Sequence, residues 1–243
     1  MKMRKRNKTL RYCISLLLSL SIIVTNAQAS SLERTLANTG VSGWAYSTQS
    51  GHMGKKASTY TFDSSYTYNV YSNYFTNGTA LWGTTISAAY TPQTTSATGI
   101  VAESDASSDA VASTSVISVN NSGHRTKYQI TIYSMNFFAS WSSVPGRNRV
   151  IAHEIGHAYG LGHVNQANDI MYDTYSDSTQ VTSQALWGMK VVTHQHNHSS
   201  STSGSFSQYN ELYHKVLCSS CKAIYLQDHS YVNGTCTKCG RIQ

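Results

Sequence analysis

His153-Glu154-Ile155-Gly156-His157-Ala158-Tyr159-Gly160-Leu161-Gly162-His163 is the stretch on which the reading of this chain turns. In a helix, His153 and His157 stand one turn apart on a single face. Both imidazoles can then reach one Zn²⁺, with Glu154 beside them within reach of a water on the metal. Gly160 has no Cβ, so the helix can end there in a left-handed residue and the chain can double back, carrying His163 round as a third nitrogen ligand. Three protein ligands leave one tetrahedral position open, which separates a catalytic zinc site from a structural one closed by four protein ligands. Ile151, Ile155 and Ala158 form an apolar back, so one helix can hold metal and core together. The pattern predicts a helix over 147–159, after a break at Pro145-Gly146.

The string resembles the zinc-binding signature of the metzincin metalloendopeptidases. With Leu161-Gly162 before the third histidine it is most similar to the matrixin branch, the matrix metalloproteinases and their bacterial relatives. Asp169-Ile170-Met171-Tyr172 suits that family's methionine turn, with Met171 underlying the metal. The resemblance implies a zinc-dependent endopeptidase acting on protein or peptide. Zn²⁺ would acidify a water and polarise the scissile carbonyl, while Glu154 takes the water proton and delivers it to the leaving amine. It also implies an α+β catalytic domain: a twisted, mostly parallel sheet with one antiparallel edge strand, the zinc helix and a closing C-terminal helix. An edge strand beside the cleft pairs with extended substrate in that family, and 116–120 is the candidate here.

Departures from the pattern limit what carries over. Val164 follows the third histidine where a small hydroxyl is usual, and Asp173 stands where a proline is expected, so specificity is not transferable. Asp173 also occupies the position of the tyrosine ligand of the astacin and serralysin branches, so no fifth ligand of that kind is expected. Between Ser30 and Tyr60 there is no cysteine, and the family's cysteine-switch propeptide is missing. No ligand set matches the family's second, structural zinc. Ca²⁺ remains open but unsupported, because Asp63, Asp105 and Asp109 are scattered.

Around the zinc helix the patterns are shorter. Alternation predicts strands at 59–62, 66–71, 99–103, 116–120 and 127–133, with Tyr128, Ile130 and Ile132 on one face of the last. Leu81, Trp82, Ile86 and Ala89 recur at helical spacing and predict a helix over 74–89. Ala185, Met189 and Val192 predict another over 184–192, which would close the domain near Thr193.

The first eleven residues carry six Lys and Arg and no acid. An apolar run from Tyr12 to Val24 and Ala27-Gln28-Ala29 follow, the pattern of a secretory signal peptide over 1–29 with the mature chain starting at Ser30. The run is too short to span a bilayer, and no later stretch is long enough, so no transmembrane anchor is expected. Its removal leaves 12 Lys and Arg against 11 Asp and Glu, a net charge of +1 in place of +7. No charge-based case for nucleic acid or an anionic membrane survives. The expected location is extracellular.

The 30–193 catalytic domain is followed by a His/Ser-rich segment, 194–208, read as a flexible linker. His194, His196 and His198 could capture metal there, but a polar linker is the simpler account. Residues 209–243 hold two Cys-x-x-Cys knuckles, Cys218/Cys221 and Cys236/Cys239, and resemble a zinc-ribbon-like module with a structural Zn²⁺. His214 and His229 are substitute ligands or neighbours. Two disulfides are the competing reading in an extracellular compartment. Such a tail can serve stability or dock to a surface, glycan or protein. Two alternatives to proteolysis stay open at this level. One is a non-catalytic, metal-stabilised binding protein on a metzincin scaffold, and the other is a hydrolase of cell-wall peptides.

Overall fold

The computed structural model of the chain describes residues 35–36, 44–47, 49–175, 177, 180–196, 206–218 and 224–243. The signal segment 1–29, His198 and Cys221 lie outside them.

In chain order the domain consists of β1 (Thr35–Leu36), β2 (Ala45–Tyr46), β3 (Ala57–Phe62), α1 (Ser65–Leu81), β4 (Ser87–Thr91), β5 (Gly99–Ser104), β6 (Ala112–Val119), β7 (Arg125–Tyr133), the single turn α2 (Ser134–Phe137), α3 (Val144–Tyr159), β8 (Leu161–Gly162) and α4 (Ser183–Val192). The main sheet has the order β4-β3-β5-β7-β6. Its first four strands are parallel and β6 runs antiparallel to β7 at the edge. This is the mostly parallel α+β sheet with an antiparallel edge that the sequence led us to expect. Tyr128, Ile130 and Ile132 of β7 are fully buried, and the two helices α1 and α3 pack against each other beside the sheet.

α1 departs from the sequence reading. The helix lies at Ser65–Leu81 instead of 74–89, and 66–71, expected as a strand, are its first turns. Ser64 caps it, with Oγ accepting from the Thr67 amide at 3.1 Å. Thr67, Tyr71, Phe75 and Gly78 form the buried stripe. Its Tyr, Asn and Thr have weak helix propensity, so packing on α3 decides the matter. At Gly78 a Cβ would lie 2.9 Å from Ile151 Cγ2, so the helices touch backbone to side chain. Trp82, at the C-terminal cap, donates from Nε1 to the Ala152 carbonyl at 3.0 Å. Residues 87–89, counted into the expected helix, belong to β4.

α3 starts earlier than 147. Ser143 caps it by accepting from the Gly146 amide at 3.0 Å, and Pro145 sits in the first turn. Proline fits there because its missing N–H would have no helical partner in any case. Thr182 caps α4 by accepting from the Ala185 amide at 3.1 Å.

The C-terminal part consists of β9 (Phe206–Gln208), β10 (Tyr213–Leu217), β11 (Ile224–Asp228), β12 (Tyr231–Val232) and β13 (Thr235–Cys236). An antiparallel sheet, β1-β11-β10-β9, draws in the N-terminal strand, and β12 pairs with β13. Val216 and Cys218 are buried in the same apolar cluster as the core around the main sheet. Of the segment read as a linker, 206–208 form β9 and His194 to His196 continue from the end of α4.

Candidate metal centre

α3 ends at Gly160, whose φ of +120° and ψ of 10° are open to glycine. Its amide donates back to the Gly156 and His157 carbonyls at 3.1 and 3.0 Å. The chain then reverses into β8, which pairs antiparallel with β2. That reversal brings His163 onto the exposed side of the His153/His157 face. The ring centroids of His153 and His157 are 4.5 Å apart, those of His157 and His163 4.7 Å, and those of His153 and His163 5.2 Å. One nitrogen of each lies within 4.8 Å of the others.

Two carbonyls fix the tautomers. His153 Nδ1 donates to Ile170 O at 2.7 Å, and His157 Nδ1 donates to Leu161 O at 2.9 Å. Their Nε2 atoms therefore present lone pairs, and that of His157 lies 3.0 Å from His163 Nε2. Burial lowers the pKa of both His153 and His157 to about 4, which keeps the rings neutral and ready to ligate. Three imidazoles, two of them kept neutral by burial and oriented by carbonyls, with a free fourth direction fit Zn²⁺.

Glu154 is buried at 5 % exposure, and its Oε2 accepts from the Thr114 hydroxyl at 2.6 Å. Burial raises its pKa, opposed by His157 and by that hydrogen bond. The carboxylate and the three histidines line an open cleft of about 1110 Å³. One wall is the start of β6 with the loop before it, 108–114, and the other is 172–175. The strand expected beside the cleft, 116–120, is not the part that lines it. Past Thr114 the outer edge of β6 is already paired, because Gln49 Nε2 donates to Thr114 O at 2.7 Å and Gln49 Oε1 accepts from the Val116 amide at 2.9 Å.

Met171 is 1 % exposed beneath this floor. A Cβ at Gly156 would lie 2.4 Å from its Sδ, so the thioether fits only because residue 156 has no side chain. The turn is held by the buried carboxylate of Asp169. Oδ1 accepts from the Met171 amide at 2.7 Å, and Oδ2 accepts from the Thr182 hydroxyl. The same turn supplies the Ile170 carbonyl that orients His153. Behind the site, Arg125 is 2 % exposed and donates to the carbonyls of His157, Ala158 (3.2 Å), Gln49 (3.2 Å) and Ser50 (3.0 Å). Its charge meets the negative end of the α3 dipole.

Thr114 and Arg125 have no signature in the sequence, because each acts through contacts more than thirty residues away; Asp169 stands in the methionine-turn string, but its bond to Thr182 is not announced by any local spacing.

A second cluster lies in the tail. His214, His229, Cys236 and Cys239 each offer a ligand atom within 4.8 Å of the others. Cys236 Sγ is 3.8 Å from His214 Nδ1, and Cys239 Sγ is 3.4 Å from His229 Nδ1. Burial raises the Cys236 thiol, but donors from Cys239, Lys238 and His229 outweigh it and bring it down to about 5. Cys218 is not in this set; its Sγ lies 3.2 Å from His196 Nε2. Cys218, Cys236 and Cys239 are free thiols. His194 turns to His52 and His124, while His196 meets Cys218; His198 lies outside the described residues.

Among the described residues no helix is long and apolar enough to cross a membrane. A family model described as Matrixin matches residues 45–187, from β2 into α4. None of the curated proteins matches the chain.

Proposed function

We propose, from the premise that this chain belongs to the matrixin family of metallopeptidases, that it is a secreted zinc endopeptidase with Glu154 as its proton relay. The observation that carries this reading is the buried Glu154 carboxylate, held by Thr114 beside three converging imidazoles at the floor of an open cleft.

His153, His157 and His163 would hold the metal. Bound there, Zn²⁺ supplies Lewis acidity, polarising the scissile carbonyl and acidifying the attacking water. The Thr114 hydroxyl engages one Glu154 oxygen and leaves the other for the cleft. Glu154 takes a proton from the water and returns it to the leaving nitrogen, base first and acid second. Its raised pKa suits both roles, because a carboxyl that is too acidic would not keep the proton between the two events. An extended peptide would lie along 110–114, where the edge of β6 faces the cleft.

The leader 1–29 supports export, since its basic start, apolar run and Ala27-Gln28-Ala29 are what a signal peptidase reads. In the tail, two thiols and two imidazoles form a closed set suited to a structural Zn²⁺.

The test is mass spectrometry of a diverse peptide mixture incubated with the purified protein, with and without chelator. Internal cuts that cease on chelation and return with zinc support the reading. Persistent cutting under chelation, or none from folded, zinc-loaded protein, contradicts it.

A further inference from the structure

Behind the catalytic helix, on the side away from the cleft, three more imidazoles converge. His52 comes from the strap 49–54, His124 from the turn between β6 and β7, and His194 from the residue just past the cap of α4. One nitrogen of each lies within 4.8 Å of the others. His52 Nε2 and His194 Nε2 are 2.9 Å apart, and the three ring centroids are separated by 4.9 to 5.1 Å.

Hydrogen bonding alone leaves this cluster unsatisfied. One His52–His194 contact uses one proton and one lone pair, while His124 Nε2 is buried without a partner. Charging the rings would place cations side by side, and no carboxylate belongs to the cluster. Arg125, next to His124, is committed to four carbonyl oxygens. A divalent cation accepting three nitrogen lone pairs satisfies what hydrogen bonds do not.

The backbone is shaped to this convergence. His194 has a φ of 58°, the left-handed conformation that a helix usually gives to glycine at this position. A non-glycine residue is held there only when its surroundings demand it. Gly54, with φ +63°, lets the His124 ring lie on the strap, since a Cβ would come within 2.6 Å of Cδ2. His52 in turn packs on Gly160, where a Cβ would stand 2.8 Å from its own. The His52 carbonyl accepts from the Arg125 amide at 2.8 Å, Met53 N donates to Tyr159 O at 2.9 Å, and Gly54 N donates to Val192 O at 2.9 Å.

We propose that His52, His124 and His194 form a further metal site, a three-imidazole Zn²⁺ staple that ties the strap, the β6–β7 turn and the end of α4 to the back of the catalytic helix. His52 is 5 % exposed and His194 is exposed, so the remaining coordination position faces solvent on the His194 side. Three ligands leave the fourth position to solvent, as in a catalytic site, but no carboxylate stands in the cluster to move a proton there, so the ion's part is to cross-link the three segments.

The test is zinc content and thermal unfolding of the full chain and its His194→Gly variant, each measured with Zn²⁺ and after stripping by chelator. Glycine suits the left-handed backbone, so a merely structural His194 would make the variant at least as stable as the parent in both conditions. The staple predicts the loss of one zinc per chain and a lower Tm in zinc, with an equal or higher Tm once both proteins are stripped. His124→Asn should lose the same equivalent, and Cys236→Ser/Cys239→Ser should retain it. An unchanged zinc count in His194→Gly, or a Tm that rises in zinc as it does without it, overturns the proposal. Neither readout depends on peptidase activity.

Discussion

The Thr114 hydroxyl donates to Glu154 Oε2 at 2.6 Å and also reaches the Glu154 backbone carbonyl at 3.1 Å. A residue of the cleft-facing edge strand thus aims the carboxylate of α3. Thr114→Val keeps the shape and removes the donor. A hydrogen bond to a charged group contributes about 1.5–3 kcal/mol, so kcat/KM should fall about 10- to 100-fold with zinc content unchanged. Losing a donor to the charged form raises the Glu154 pKa further, so the acid limb of the pH–rate profile should move to higher pH. Thr114→Ser should restore both, and an unshifted limb in the valine variant would count against the role.

Burial of Glu154 also has a cost in the metal-free protein. Its pKa is raised above the ordinary 4.5, so the folded state binds the proton more tightly than the unfolded chain. Stability is therefore lost as pH rises through the interval from 4.5 to the folded value, and the cost is fully present above it. Glu154→Gln, which still accepts from Thr114, should raise the Tm of chelated protein at neutral pH. That gain should vanish below about pH 4.5, as differential scanning across pH would reveal.

His153 and His157 act in the opposite sense. Both are lowered from 6.5 to about 4, so the unfolded chain takes up protons first as pH falls. Their contribution is intact above 6.5 and is lost between 6.5 and about 4, on the order of 3 kcal/mol for each ring. Metal-free protein should lose Tm steeply over that interval, and the double variant His153→Gln/His157→Gln should lose it less steeply. Parallel curves would contradict the assignment.

Asp169 secures the methionine turn through Met171 N and Thr182 Oγ1. Asp169→Ala strands a buried amide and frees the α4 cap from the turn, for about 2–4 kcal/mol of destabilisation. Because Ile170 O loses its fixed position against His153, zinc affinity should also drop, by about 10-fold or more. Competition with a chromophoric chelator measures the second effect separately from the first.

The sequence made the zinc helix, its glycine stop, the third histidine and the methionine turn readable because each is a local pattern with one geometric solution. β7 was equally readable, since a strand with one buried face alternates. α1 was not, because its aromatic and β-branched residues favour strands and only contact with Ile151 and Ala152 of α3 makes it helical. The Pro145-Gly146 pair looked like a break although proline is at home in a first turn. Thr114 and Arg125 were invisible for a different reason: their partners lie 40 and 32 to 76 residues away, and only the fold defines those pairings, as it does the bond from Thr182 to Asp169. The tail shows both cases. Cys236-x-x-Cys239 read as a metal knuckle to be completed by Cys218 and Cys221, but among the described residues its companions in space are His214 and His229, which β10 and the loop after β11 bring to it.

The most direct test of the account is kcat/KM for one cleaved peptide, measured for the parent protein and Glu154→Gln at matched zinc content. Proton transfer by a positioned side chain contributes about 10²–10⁴-fold, so the variant should lose activity by that factor while binding zinc as the parent does. Activity within a few-fold of the parent, with zinc content equal in both, would contradict Glu154 as the proton relay.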